Sequence, residues 1–167
     1  MKITRFFSIV VLCSLALPAF AQEPRSIGSW RDWDAFVLGA GNSKICYIVS
    51  VPEKKLPTSV THGTVYITVS HKPERKVKNE VNVVVPYSFR AGSEVRAIIG
   101  GRVEKMFTSG GEAWAYDPES DAELVQRMKQ GVSMRIKGQS ARGTDVTYEF
   151  SLYGFTAAYN AITRACS

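Results

Sequence analysis

The chain has 167 residues, with 21 Lys and Arg against 15 Asp and Glu for a formal net charge of +6, three Cys, two His and 11% aromatic side chains. That length supplies one hydrophobic core and is short for a two-domain enzyme, while 45% apolar content argues against disorder. Two histidines leave little material for a metal cluster or a histidine relay, and the positive balance leaves nucleic acid, anionic lipid or an acidic partner open.

Residues 1–21 carry the pattern of a secretory signal. Lys2 and Arg5 form its basic start, Phe6 to Leu17 its apolar run, and Ala19-Phe20-Ala21 after Pro18 a small-x-small cleavage site. A spanning helix needs roughly 20 apolar residues, so no transmembrane segment is expected in the mature chain. Cleavage after Ala21 leaves 146 residues, lowers the formal charge to +4 and removes Cys13. Cys46 and Cys166 then remain. In an oxidising compartment such a pair reads most simply as one disulfide. Two free buried thiols are the alternative, as is a metal site with His62 and His71, though those four residues lack ligand-type spacing.

Residues 22–29 read as a flexible lead and 30–167 as a single domain. Strand signals dominate it. Ile45 to Val51 is β-branched and aromatic, and Val65, Ile67 and Val69 alternate with polar neighbours, as Val81, Val83 and Val85 do. Glu94 to Ile99 and Arg102 to Thr108 flank Gly100-Gly101 as a hairpin, followed by Ala113 to Tyr116. Met134 to Lys137 and Tyr148 to Leu152 alternate again. Two helices interrupt the strands. The first runs from Asp121 to Lys129, with Ser120-x-x-Glu123 as a capping box. The second covers Phe155 to Arg164, where Phe155, Ala158, Tyr159 and Ile162 form one apolar stripe. The expected fold is mainly β: a sandwich or partly open barrel of about seven to eight short strands with two short helices, one C-terminal.

Chemistry-bearing patterns are sparse. Gly138-Gln139-Ser140-Ala141-Arg142-Gly143 resembles a nucleophile elbow, but its second Gly falls one residue late and it lies between two strands, so it reads as a turn. His62 precedes a turn glycine and His71 a Lys-Pro pair, so both read as solvated loop residues. No catalytic residue, metal set or cofactor motif emerges, and a hydrolase ranks below a binding protein. Basic residues concentrate in two loops, Lys54 and Lys55, then Lys72, Arg75, Lys76 and Lys78. They read as a solubilising surface or as a patch for lipid headgroups, polysaccharide or a host surface. Nucleic acid is not expected, because no aromatic-interleaved basic stripe accompanies them. Trp30, Trp33 and Trp114 are either core or contact aromatics.

Several segments in order resemble the invasion-associated locus B family of bacterial envelope proteins: Trp33-Asp34-Ala35-Phe36, Cys46-Tyr47-Ile48-Val49-Ser50, Val69-Ser70-His71-Lys72-Pro73, Asn79-Glu80-Val81, Ala113-Trp114-Ala115 and Met128-Lys129-Gln130-Gly131. The most specific are Gly138 to Thr144, Ser151 to Ala158, and Ala165-Cys166. Some members carry a further Cys pair near the N-terminal strands, where this chain has Cys46 alone. The resemblance implies a secreted, periplasmic or outer-membrane-associated β-rich protein, linked in pathogens to entry into host cells, without catalytic residues to transfer. A non-enzymatic envelope binding protein is therefore expected, with an unidentified protein, lipid or polysaccharide partner. The alternative is a structural or stress-related periplasmic factor.

Overall fold

Alternation of apolar and polar residues builds most of the sheet, because successive side chains of a strand point to opposite faces. A computed structural model describes residues 23–167; the signal pattern, its cleavage site and Cys13 lie outside them. In chain order the elements are β1 (Arg25–Trp30), β2 (Trp33–Leu38), β3 (Ile45–Ser50), β4 (Lys54–Leu56), β5 (Tyr66–Lys72), β6 (Val77–Val84), β7 (Glu94–Ile99), β8 (Arg102–Ser109), β9 (Glu112–Ala115), α1 (Pro118–Gln130), β10 (Ser133–Gln139), β11 (Asp145–Ser151) and α2 (Phe155–Ala165). The fold is mainly β, as expected. Where a sandwich or partly open barrel of about seven to eight strands was expected, the described residues form one open antiparallel sheet of eleven strands, in the order β1-β2-β3-β5-β6-β9-β8-β7-β10-β11-β4.

The expected lead is corrected in part: Arg25 to Trp30 pairs with β2 as the edge strand β1. The register shifts between Ser26 and Gly28, and that bulge breaks the period-2 signal by which the strand would have been read. At the other edge, β4 is a three-residue strand held by β11, with Lys55 opposite Tyr148.

The sheet curls until its two ends meet. Trp33 on β2 donates its indole Nε1–H to the Ser151 carbonyl at the end of β11, at 3.1 Å. Gly154 sits at φ +91°, and a Cβ there would lie 1.8 Å from the Trp30 carbonyl oxygen. No strand pairing joins β1 to β4, so the edges remain open. The inward faces share one apolar cluster that includes Trp33, Ile48, Ile67, Met106, Ile136, Phe150 and Phe155. The Trp33 and Phe155 rings meet edge-on at 4.9 Å, which fastens α2 to β2.

Helix α1 begins earlier than the capping box implies. Asp117 is its N-cap, accepting from the Ser120 backbone N–H at 2.7 Å, and Pro118 occupies the first turn. The helix ends at Gly131, where a Cβ would meet Ile99 Cγ2 at 2.5 Å. Among the described residues no helix is long and apolar enough to cross a membrane.

Candidate functional site

Three connections converge on one mouth of the curled sheet: the β4–β5 loop, the β6–β7 connection and the β10–β11 turn. Backbone hydrogen bonds pin the middle one to the β10–β11 turn and to the β8–β9 turn. Phe89 N–H donates to Gly110 O at 2.8 Å, Arg90 N–H to Gln139 O at 2.9 Å and Ala141 N–H to Ser88 O at 2.8 Å. Between the three lies a cleft of about 540 Å³, lined among others by Val60, His62, Pro86, Tyr87, Ser140, Arg142 and Thr144.

A chain of polar side chains forms its base. His62 Nε2 lies 2.9 Å from the Pro57 carbonyl, which can only accept, so Nε2 carries the proton. Nδ1 then accepts from the Tyr148 hydroxyl at 3.1 Å, and Tyr148 in turn accepts from Tyr87. Both ring nitrogens are engaged. Burial, then the Tyr87 hydroxyl, push the ionisation of Tyr148 far above the ordinary phenol range, and burial raises Tyr87 as well. The two phenols therefore stay neutral and keep their hydroxyl protons at physiological pH.

His62 is 7% exposed and His71 4%, which corrects the reading of both as solvated loop residues. Pro57 and Tyr148 close over His62 from either side. His71 turns inward at an irregularity in the β5–β6 register between Ser70 and Lys72, so Ser70 and His71 are both buried. Its Nε2–H donates to Thr163 Oγ1 at 3.2 Å, and Nδ1 accepts from Asn79 N–H at 3.1 Å. Thr163 passes the bond on to the Tyr159 carbonyl at 2.9 Å. Desolvation is the main cause that lowers the His71 pKa, aided by Lys78 and Lys129 and opposed by the Ser70 carbonyl.

The turn reading of Ser140 agrees with the geometry. Ser140 N–H donates to Thr144 O, Gly143 N–H to Ser140 O, and the Ser140 hydroxyl accepts from Thr144 N–H at 3.2 Å. No hydrogen bond links Ser140 to His62. Cys46 of β3 and Cys166, just beyond α2, form a disulfide across 120 residues with Cα atoms 6.0 Å apart. Among the described residues no group of three or more His, Cys, Asp or Glu is placed to hold a metal ion.

The six loop cations do not form one patch. Lys54 and Lys55 lie near the start of β5, where Lys55 donates to Gly63 O at 2.6 Å and Lys54 pairs with Glu149 at 3.3 Å. Lys72, Arg75, Lys76 and Lys78 surround the turn at its other end, roughly 20 Å away along the strand. Lys72 is further committed to Glu80. Chain order conceals this separation, because β4 enters the sheet beside β11 instead of β5. Trp33 is core, while Trp30 and Trp114 are partly buried.

What sequence reasoning missed is the polar base of the cleft. Tyr87 and Tyr148 stand 61 residues apart and carry no local signal for each other. Comparison with curated proteins and with solved structures gave no match. A model for the family described as invasion associated locus B (IalB) protein matches residues 33–163, from the first residue of β2 to near the end of α2. That stretch holds the cleft, Cys46 and all but the end strand β1 of the sheet, and the chain belongs to the IalB family.

Proposed function

We propose that this IalB-type protein is exported and acts at the bacterial envelope by binding, without catalysis, through the cleft at the β10–β11 turn. One observation carries the reading: Gly138 to Thr144, one of the segments most specific to the family resemblance, forms a cleft wall whose Ala141, Arg142 and Gly143 are exposed, over a base of mutually satisfied side chains. A hydrolase of the Ser–His type needs a histidine nitrogen free to accept the proton of its nucleophile. Here His62 spends both nitrogens on Tyr148 and Pro57, and Ser140 closes its own turn. Export is supported by the signal pattern of residues 1–21 and by a disulfide, a bond that persists mainly in oxidising compartments. In a pathogen, the bound partner would contribute to association with host cells.

The test places a photo-crosslinking side chain at position 142 in one strain and at position 76 in another, and examines fractionated cells. The reading expects the protein in the envelope or medium, beginning at Gln22, with a discrete adduct from position 142 alone. Retention in the cytoplasm overturns export, and identical adducts from both positions overturn the cleft. Turnover of a generic ester that disappears in a Ser140→Ala variant overturns the non-enzymatic reading.

A further inference from the structure

The register of the sheet assembles a cationic row that chain order scatters over 42 positions, from Arg96 to Lys137. On the outward face, Arg96 of β7 stands directly opposite Lys105 of β8 on one side and Lys137 of β10 on the other. Neighbouring strands are about 4.8 Å apart, so three cations share a strip about 10 Å wide. Like charges directly opposite one another destabilise a sheet. Glu94 answers Lys105 at 3.0 Å, but Arg96 and Lys137 form no ion pair among the described residues. A local rule broken with only partial compensation points to a function.

Apolar side chains flank the row along β7 and β8. Val103 and Ile98, opposite each other, border it on one side, with Arg135 next in register. Phe107 borders it on the other, its ring 5.7 Å from that of Tyr116. Val103, Phe107 and Tyr116 are 49%, 40% and 53% exposed. The helices lie against other strands, α1 on β6 and β9 and α2 on β1, β2, β3 and β5, so this face is open. Beside Arg96 and Lys137 is a shallow recess of about 400 Å³, but Glu94 and Asp145 also line it. Two carboxylates oppose a small free anion there and favour a partner whose charge is spread over an area.

We propose that this face docks on an anionic lipid surface. The Arg and Lys stems lie along aliphatic neighbours while their heads reach lipid phosphates, and Phe107 and Tyr116 sit at headgroup depth. The surface is separate from the cleft. It meets an envelope membrane if the export reading holds, whereas vesicle binding tests the face itself in either case.

The experiment uses residues 23–167, which contain the eleven strands, the two helices and the disulfide of the described residues, and omits the apolar run that would bind lipid by itself. Vesicles of phosphatidylcholine, with or without phosphatidylglycerol, are floated with the protein. Binding is expected only with phosphatidylglycerol, falling as salt rises, and roughly tenfold or more weaker in the Arg96→Glu/Lys137→Glu variant. A cooperative thermal melt shows that the variant is folded, its two new carboxylates still facing each other across the β7–β10 pair. The Lys76→Glu/Lys78→Glu variant, altered at the β5–β6 turn, is expected to bind like the parent. Equal binding to both vesicles, unchanged binding by the Arg96/Lys137 variant, or equal loss in the turn variant overturns the proposal. So does Arg96-dependent retention on a sulfated polysaccharide without vesicle binding, which would assign the row to a glycan.

Discussion

Gly154 stands where the curled sheet meets itself, and its backbone can be built from no other residue without displacement. It combines φ +91° with a Cβ position 1.8 Å from the Trp30 carbonyl oxygen. Gly154→Ala is expected to cost about 3 kcal/mol or more, because both the left-handed backbone and the clash must be relieved; urea denaturation measures it. Asp121 in α1 is the opposite case, a residue whose replacement stabilises. Its carboxylate accepts from Val81 N–H at 2.8 Å, yet burial first, then Glu80 and Asp117, push its pKa from 3.8 up to about 6. A raised carboxyl pKa favours the folded state most below the unfolded value, and that advantage disappears as pH rises through the folded value. Asp121→Asn keeps an acceptor for Val81 and removes the charge. It is expected to stabilise the protein at pH 7 by about 1 kcal/mol, solvent screening of this half-exposed group included. The gain should vanish below about pH 4, as melts across that range would record.

Elements differ in how far they could be read before folding. The β7–β8 hairpin was legible because Val95, Ala97 and Ile99 alternate and Gly100-Gly101 supplies a turn. The stripe Phe155, Ala158, Tyr159 and Ile162 likewise announced α2, since all four are buried. Strand β4 was illegible: Lys-Lys-Leu has no pattern of its own, and β11, about 90 residues later, supplies its ladder. The inward turn of His71 came from a register irregularity and was hidden for the same reason, since it depends on two strands together. The packing of α2 on β5 makes this histidine pH-sensitive. Its folded pKa is lowered from 6.5, so its stabilising contribution is complete above that value and lost as pH falls below it. Asp121 acts in the contrary direction over the neighbouring range. In an Asp121→Asn background, stability is expected to fall as pH drops from 7 to 5, and the slope should flatten in an added His71→Gln variant. An unchanged slope would locate the titration elsewhere.

For the whole molecule, topology explains why the site was only half visible. The segment Gly138 to Thr144 could be singled out as distinctive, but its partners Tyr87 and His62 join it through sheet order, which chain order does not reveal. The cations behaved likewise: loops that looked like one patch lie apart, and strand residues that looked unrelated lie side by side. The Cys46–Cys166 bond encloses nearly the entire fold. Chain entropy over a loop of this length gives on the order of 4–5 kcal/mol, so reduction, or the Cys46→Ser/Cys166→Ser pair, is expected to lower the urea midpoint by a corresponding amount. A midpoint insensitive to reductant would count against that bond as a major source of stability.

The meeting of early and late residues sets a condition on biogenesis. Trp33 finds its acceptor only at Ser151, β4 its partner only in β11, and Cys46 its thiol only at Cys166. A nascent or truncated chain that stops before β11 leaves β4 unpaired, the indole of Trp33 unsatisfied and the sheet uncurled. Such a fragment presents bare strand edges and open apolar faces to any protease. The fold thus audits its own length, and an interrupted copy is marked for disposal by its shape.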